Sequence, residues 1–412
     1  MQLQIDTFSH DGRGIGRVQD KGKRFGKTCF VEGALPGETV SVEISKENRR
    51  LIEASLADID VPHPQRVQPE CRYYQQCGGC QLQHADIALQ RSLKEDVLVG
   101  QFQRLAQLND IQLSESLVSE PWHTRRRVRF SIKGETLGFN GRGSNKIVDI
   151  KTCLIADQRI NQHLPDIKRL LPMLKGATGL EVIANEPLVV DVLAKQPLVV
   201  SPELAAYCEQ KQLSLWHKGK LLAGPAGELA YQIDSVTFQY NASHFSQVNA
   251  AINEQMVRQA LAWAAPKAKE TVLDLFCGIG NFALSFAPHV KAVVGVEGSE
   301  HSIQQAQVNA QLNQLSNCQF LVDNLFEPSN TWASTAADIV VLDPPRAGAQ
   351  QAVDHYPWQG NERIIYVSCD PATLARDAKL LTSKGFALQQ LAMMDMFPQT
   401  RHIEAMALFA AE

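Results

Sequence analysis

The stretch Asp274-Leu-Phe-Cys-Gly-Ile-Gly-Asn-Phe282 continues the apolar run Thr271–Leu273, and its reading decides the fold. T-V-L-D-L-F has the β-branched, apolar content of a buried strand, and Gly278 and Gly280 let the backbone turn tightly and approach a ligand. The same texture recurs downstream in A-V-V-G-V-E, Q-F-L-V-D, A-D-I-V-V-L-D and R-I-I-Y-V-S, with helical segments between. Alternation of this kind predicts a doubly wound α/β sheet from about residue 270, with ligands bound beyond the carboxyl ends of its strands. The chain closes with A-L-Q-Q-L-A-M-M-D-M-F-P and H-I-E-A-M-A-L-F, read as two further, antiparallel strands.

Working toward the N-terminus, residues 1–58 read as a small all-β unit of the five-strand oligonucleotide-binding (OB) type, its short strands punctuated by D-G-R-G-I-G, E-G-A-L-P-G-E and S-K-E-N. Pro62, Pro64 and Pro69 then mark a linker. A cysteine cluster, a helix from His84 to about Leu108 and a mixed stretch complete a central α+β domain over 59–235, in which Arg159 to Leu229 shows no clear pattern. The remaining residues, 236–412, form the third domain.

Composition narrows the function. The chain has 412 residues, 44% of them hydrophobic, which suits two or three globular domains. The N-terminus lacks the basic start and apolar core of a signal peptide, and no run approaches the roughly 18 apolar residues of a membrane helix. A cytosolic protein without membrane contact is expected, in which nine cysteines mean thiols, metal ligands or catalysis. Net charge is -4, yet two stretches are locally basic. One runs from Arg13 to Lys27 and includes Arg17, Lys21, Lys23 and Arg24; the other holds Arg125, Arg126, Arg127 and Arg129, followed by Lys133, Arg142, Lys146 and Lys151. Either is a solvated face or a phosphate-binding patch.

The strand ends carry the chemistry. The glycine loop, with Glu297 placed to accept from ribose hydroxyls, suits either a nicotinamide cofactor or S-adenosylmethionine. The fourth strand ends V-V-L-D-P-P-R-A-G and carries Asp343 into the crevice; a D-P-P turn here is familiar from methyltransferases that bind a planar base beside S-adenosylmethionine. The fifth strand brings Cys369 to the same edge, just before Asp370 and Pro371, which read as N-cap and first residue of a helix. A thiol in the field of a helix N-terminus is expected to favour its thiolate.

Phe245–Asn249 (F-S-Q-V-N), D-L-F-C-G-I-G-N-F, L-D-P-P-R-A-G, V-S-C-D-P-A-T-L-A-R-D and F-P-Q-T-R-H-I-E occur in this order, and together they resemble the motif set of the RNA uracil-C5 methyltransferases. G-R-G-I-G-R, F-V-E-G-A-L-P-G-E and the cysteine cluster are similar to that family's TRAM domain and iron-sulfur segment. The resemblance implies a C-terminal Rossmann-like class I S-adenosylmethionine methyltransferase domain. The TRAM domain implies the branch acting on 23S rRNA, the same chemistry on tRNA or another rRNA uridine being the alternative. Cys369 would attack carbon 6 of uracil, and Glu404 would remove the carbon 5 proton after methyl transfer. The cofactor site would comprise Gln247, Phe276, Asn281, Glu297, Asn324 and Asp343, while His402 would be a structural neighbour. Gln399 stands where many members have His, and Asp370 where Asn is common.

Cys71, Cys77 and Cys80, with Cys153 far downstream, contain only one pair at two-residue spacing. Structural zinc usually shows two such pairs, so an iron-sulfur cluster is favoured over zinc, and the resemblance implies [4Fe-4S]. Cys29, Cys208, Cys277 and Cys318 are assigned no chemistry. The target base must be flipped out of its stack, with the barrel and the Arg125–Arg129 stretch as candidate RNA contacts. A monomer is expected. The rival classes are an NAD-dependent oxidoreductase and a non-catalytic RNA-binding assembly factor.

Overall fold

The computed structural model describes residues 1–20 and 22–411; Lys21, counted above in the first basic stretch, lies outside them. The N-terminal unit is a six-stranded sheet in the order Gln2–Gln4, Thr39–Glu47, Leu51–Val61, Thr28–Glu32, Arg13–Arg17, Thr7–Phe8. Strict alternation puts Val31, Val40, Val42, Ile52 and Cys29 inside, and burial pushes the Cys29 thiol up to about 11, as for a small hydrophobe. The sixth strand escapes the expected count of five because Thr7–Phe8 is too short to show a period. Gly16 is required by packing, since a Cβ there would meet the Gln4 carbonyl oxygen at 2.1 Å.

The proline segment is irregular, as proline demands, but not loose. Arg66 donates to both oxygens of the buried Glu38 (2.5 and 2.7 Å) and to the Gly33 carbonyl (2.7 Å), fastening it to the barrel. Helix α1 (Ile87–Gln101) begins at Asp86, whose carboxylate accepts from the Leu89 N–H at 2.7 Å, and runs into a π-turn at Phe102–Ala106. Val97, Leu98 and Phe102 enter the core of the C-terminal domain. Beyond it lies a seven-stranded sheet in the order Lys220–Ala223, Leu213–His217, Leu188–Ala194, Ala177–Ile183, Arg127–Lys133, Thr136–Asn140, Ile147–Asp149. The helices Gln158–Leu170 and Pro202–Gln210 contribute to its core. A hairpin, Leu229–Ile233 with Val236–Tyr240, precedes helix α2 (Ala250–Ala264).

The C-terminal sheet is built from β1 (Thr271–Leu275), β2 (Ala292–Glu297), β3 (Cys318–Val322), β4 (Ile339–Leu342), β5 (Arg363–Ser368), β6 (Phe386–Met394) and β7 (Glu404–Ala411). Its order is β3–β2–β1–β4–β5–β7–β6; the first five are parallel, and β7 runs antiparallel to β5 and β6. Ile339–Leu342 is buried throughout, as befits a strand covered on both faces. The chain crosses from one side of β1 to the other between β3 and β4, and a crevice opens at the carboxyl ends of β1 and its neighbours. Among the described residues, no helix is long and apolar enough to cross a membrane.

Candidate active site

The crevice has a volume of about 530 Å³, room for a nucleoside-sized ligand. Each strand end supplies a wall. After β1, Phe276 adopts φ 67°, an uncommon conformation for a residue with a side chain, held by N–H groups of Phe276 and Cys277 that both donate to the Val296 carbonyl (2.9 and 3.0 Å). Gly280 has φ 93°, and a Cβ there would stand 2.9 Å from Leu284 Cγ. Glu297, ending β2, accepts from the Gly278 N–H (3.3 Å) and the Ser299 N–H (3.0 Å), one on each oxygen, leaving lone pairs toward the crevice. Asn324 accepts from the Phe326 N–H at 3.1 Å, shaping the turn that sets the Phe326 ring 5.7 Å from that of Phe276. Asn281 is locked in an amide pair with Asn253 and accepts from the Tyr231 hydroxyl at 2.8 Å. Gln247, Asp343, Cys369 and Glu404 complete the lining.

Asp343, Cys369 and Glu404 are all held toward their neutral forms. Burial, then the Asp343 charge, pushes Glu404 up to about 8; burial, then Glu297, pushes Asp343 up to about 7. Burial first, then Glu404 and Asp343, together push the Cys369 thiol up to about 11, with Arg346 opposing them. The expected thiolate-favouring helix terminus is therefore overruled in the free site. The Asp370 side chain accepts from the Ala372 and Thr373 N–H groups (2.9 and 3.1 Å), so the first turn of helix α3 (Pro371–Ser383) is capped by its own residue and not by the thiol. Beneath the loop, burial lifts Asp274 well above the ordinary carboxylate range; it accepts from the Ala283 N–H at 2.8 Å.

Residues 227–326 and 330–412 match the family of tRNA (uracil-5-)-methyltransferases, and residues 1–57 match the TRAM domain. The chain is 38% identical to the 23S rRNA (uracil(1939)-C(5))-methyltransferase RlmD of Hahella chejuensis, covering 98% of this chain and 96% of that protein. The chain belongs to the RNA uracil-C5 methyltransferases. Its identity to the RlmD of Pseudomonas putida is 37%, over 100% of this chain and 93% of the relative. In fold, the methyltransferase matches the Pyrococcus abyssi tRNA (uracil-54, C5)-methyltransferase, solved with S-adenosyl-L-homocysteine, at a TM-score of 0.76 and 21% identity, covering 100% and 99% of the two chains. It uses S-adenosylmethionine, and its substrate is RNA. All eight residues that the sequence placed at catalysis and cofactor binding line this one crevice of the methyltransferase.

The cysteine segment is less complete. Cys77, Cys80 and Cys153 are raised first by burial and then by neighbouring thiols: Cys71 acts on Cys77, Cys153 and Cys77 on Cys80, and Cys77 on Cys153. The four therefore share one neighbourhood, although among the described residues no group of three or more His, Cys, Asp or Glu side chains stands close enough to hold a metal ion. Arg142 ties this segment together, donating to the Tyr74 and Cys80 carbonyls (3.1 and 2.9 Å) and to Glu32 (2.8 Å). The second basic stretch divides its labour. Arg125 is withdrawn toward Cys80, Cys153 and the Phe397 ring, and Arg127 binds Glu181 and the Ala242 and His244 carbonyls. Arg129 is exposed. Sequence reasoning passed over Arg346, although it directly follows the D-P-P turn, and Phe326 and Tyr231, for which no motif existed.

Proposed function

We propose that this methyltransferase acts on carbon 5 of the 23S rRNA uridine that its relatives' names number 1939. The observation that carries the mechanism is Cys369 in one crevice with Glu404, Asp343 and the cofactor loop. Uracil carbon 5 is too weak a nucleophile to take a methyl group unaided. Attack by the Cys369 sulfur on carbon 6 sends electrons to carbon 5, which takes the methyl from the sulfonium. Glu404 then removes the carbon 5 proton; the C–H electrons form the C5–C6 double bond, and the C6–S bond breaks to return the thiolate. Gln247, Phe276, Asn281, Glu297, Asn324 and Asp343 would hold the cofactor, with Glu297 placed to accept from ribose hydroxyls and Phe276 and Phe326 offering apolar surface to the adenine.

Cys71, Cys77, Cys80 and Cys153 are proposed to hold a [4Fe-4S] cluster. Four thiols in one neighbourhood, backed by Arg125 and Arg142, suit an anionic cluster in donor chemistry and charge. Such a cluster would join residues 71–80 to Cys153 within the central domain, 59–235, while the barrel, 1–58, and Arg129 contribute RNA contacts. The enzyme is proposed to work as a cytoplasmic monomer. Incubating anaerobically purified protein with unmodified ribosomal RNA and labelled S-adenosylmethionine, then mapping the nucleosides, tests the assignment: label at any other position removes it.

A further inference from the structure

The connection Asp395–Ile403 between β6 and β7 delivers Glu404 to the crevice, and it is clamped by groups the reaction itself does not use. From α1, Gln90 donates to the Gln399 side-chain oxygen (2.9 Å) and accepts from the Gln399 N–H (3.0 Å), both residues being buried. One turn on, the fully buried Lys94 donates to Asp395 Oδ1 (2.7 Å) and the Phe397 carbonyl (3.0 Å), and Arg91 reaches Asp395 Oδ2 at 3.3 Å. From the cysteine segment, the Gln81 and Leu82 N–H groups both donate to the Gln399 carbonyl at 3.0 Å. Gln399 itself is held at φ 67°. A non-glycine residue stays there only where its surroundings over-determine it. A buried lysine and a buried glutamine spaced four apart on one helix, both spent on the same loop, are costly to desolvate and call for a use.

We infer that Gln90 and Gln399, with Lys94 and Asp395, are positioning residues for the Glu404 base, setting where its carboxylate stands relative to the carbon 5 proton. The inference rests on the proposed role of Glu404. Positioning matters most to the proton-removal step, because a base displaced by about 1 Å can cost up to about 10²-fold. Addition of Cys369 and methyl transfer involve other atoms and go on. Loosening the clamp therefore slows breakdown of the methylated adduct more than its formation.

The test compares Gln399→Gly, Gln90→Leu and Glu404→Gln in the full-length protein, using ordinary uridine RNA and S-adenosylmethionine. Glycine adopts the Gln399 backbone conformation freely, so Gln399→Gly removes the side-chain clamp without strain and decides alone if Gln90→Leu fails to fold. The expected result is a fall in kcat of about 10- to 100-fold with the apparent KM for RNA falling alongside it, accompanied by a denaturation-resistant enzyme–RNA species carrying the methyl group. A proportional loss of adduct formation and turnover, or no change in either, overturns the inference. Glu404→Gln separates the two levels: if it accumulates no adduct, the role assigned to Glu404 fails; if it accumulates adduct while the clamp variants do not, only the clamp fails.

Discussion

Two sets of cysteines in this chain are both held neutral by burial but differ in the groups around them. Cys369 lies among carboxyls, with Glu404 and Asp343 reinforcing burial and Arg346 and a backbone hydrogen bond against them. Cys77, Cys80 and Cys153 also resist ionisation through burial and one another, but Arg142 opposes the shift at Cys77, and Arg125 at Cys80 and Cys153. Burial holds both sets neutral in the free protein; what differs is the neighbouring charge, carboxyls beside Cys369 and guanidinium groups beside the other three, and the latter would favour an anionic ligand set once a metal binds. In the reading proposed above, the same side chain thus serves as a nucleophile at the sheet edge and as a permanent ligand near the barrel.

The sharpest way to break this contrast is to remove each sulfur in turn. Cys369→Ala is expected to lose methyl transfer by at least about 10⁴-fold and to form no adduct with 5-fluorouridine RNA, while calorimetry shows S-adenosylmethionine binding intact. Retained methylation would strip Cys369 of its role. Cys153→Ser is expected to remove iron and acid-labile sulfide together and to lower the melting temperature by roughly 5–10 °C, with methyl transfer reduced far less than in Cys369→Ala. If iron content is unchanged, Cys153 is not a ligand.

A smaller effect concerns pH. Glu404 must be ionised to act as a base, and its carboxyl is pushed up to about 8, so the base-competent fraction grows as pH rises toward that value. Adduct breakdown in single turnovers should accelerate roughly tenfold per pH unit below it and level off above, with Glu404→Gln flat across the range. A wild-type profile that is level from pH 6 to pH 9 would place the base elsewhere.

The contrast also separates what was legible in the sequence. The C-terminal sheet announced itself because parallel strands buried on both faces are continuous apolar runs, each ending in a polar residue at the crevice: Glu297, Asp343 and Cys369. The central sheet did not. Its helix Gln158–Leu170 contains Pro165, and the neighbouring strands Leu188–Ala194 and Leu213–His217 pair in parallel within an otherwise antiparallel sheet. Within the crevice, side-chain identity was readable but charge state was not, because the field at Cys369 depends on Glu404, brought alongside only when β7 inserts between β5 and β6. Lys94 shows the same limit: a lysine on an amphipathic helix reads as solvent-facing, and its partner Asp395 lies some 300 residues away.

The finest distinction is between the cofactor and its product. Asp343 is pushed up to about 7, so near neutral pH about half of the free enzyme carries a proton there. A sulfonium in the same crevice favours the carboxylate, and binding S-adenosylmethionine should expel a fraction of a proton; the neutral thioether of S-adenosylhomocysteine should expel less. Calorimetry at pH 7 in buffers of different ionisation enthalpy reads this difference, and equal release by both ligands would mean that Asp343 does not face the sulfonium. The sign for stability follows from the same shift. A carboxyl whose folded pKa is raised stabilises the fold while protonated, and that contribution drains away as pH climbs from about 4 toward 7. Asp343→Asn should remove this part of the slope in melting temperature while Cys369→Ala leaves it in place, which assigns the slope to the carboxyl and not to the thiol beside it.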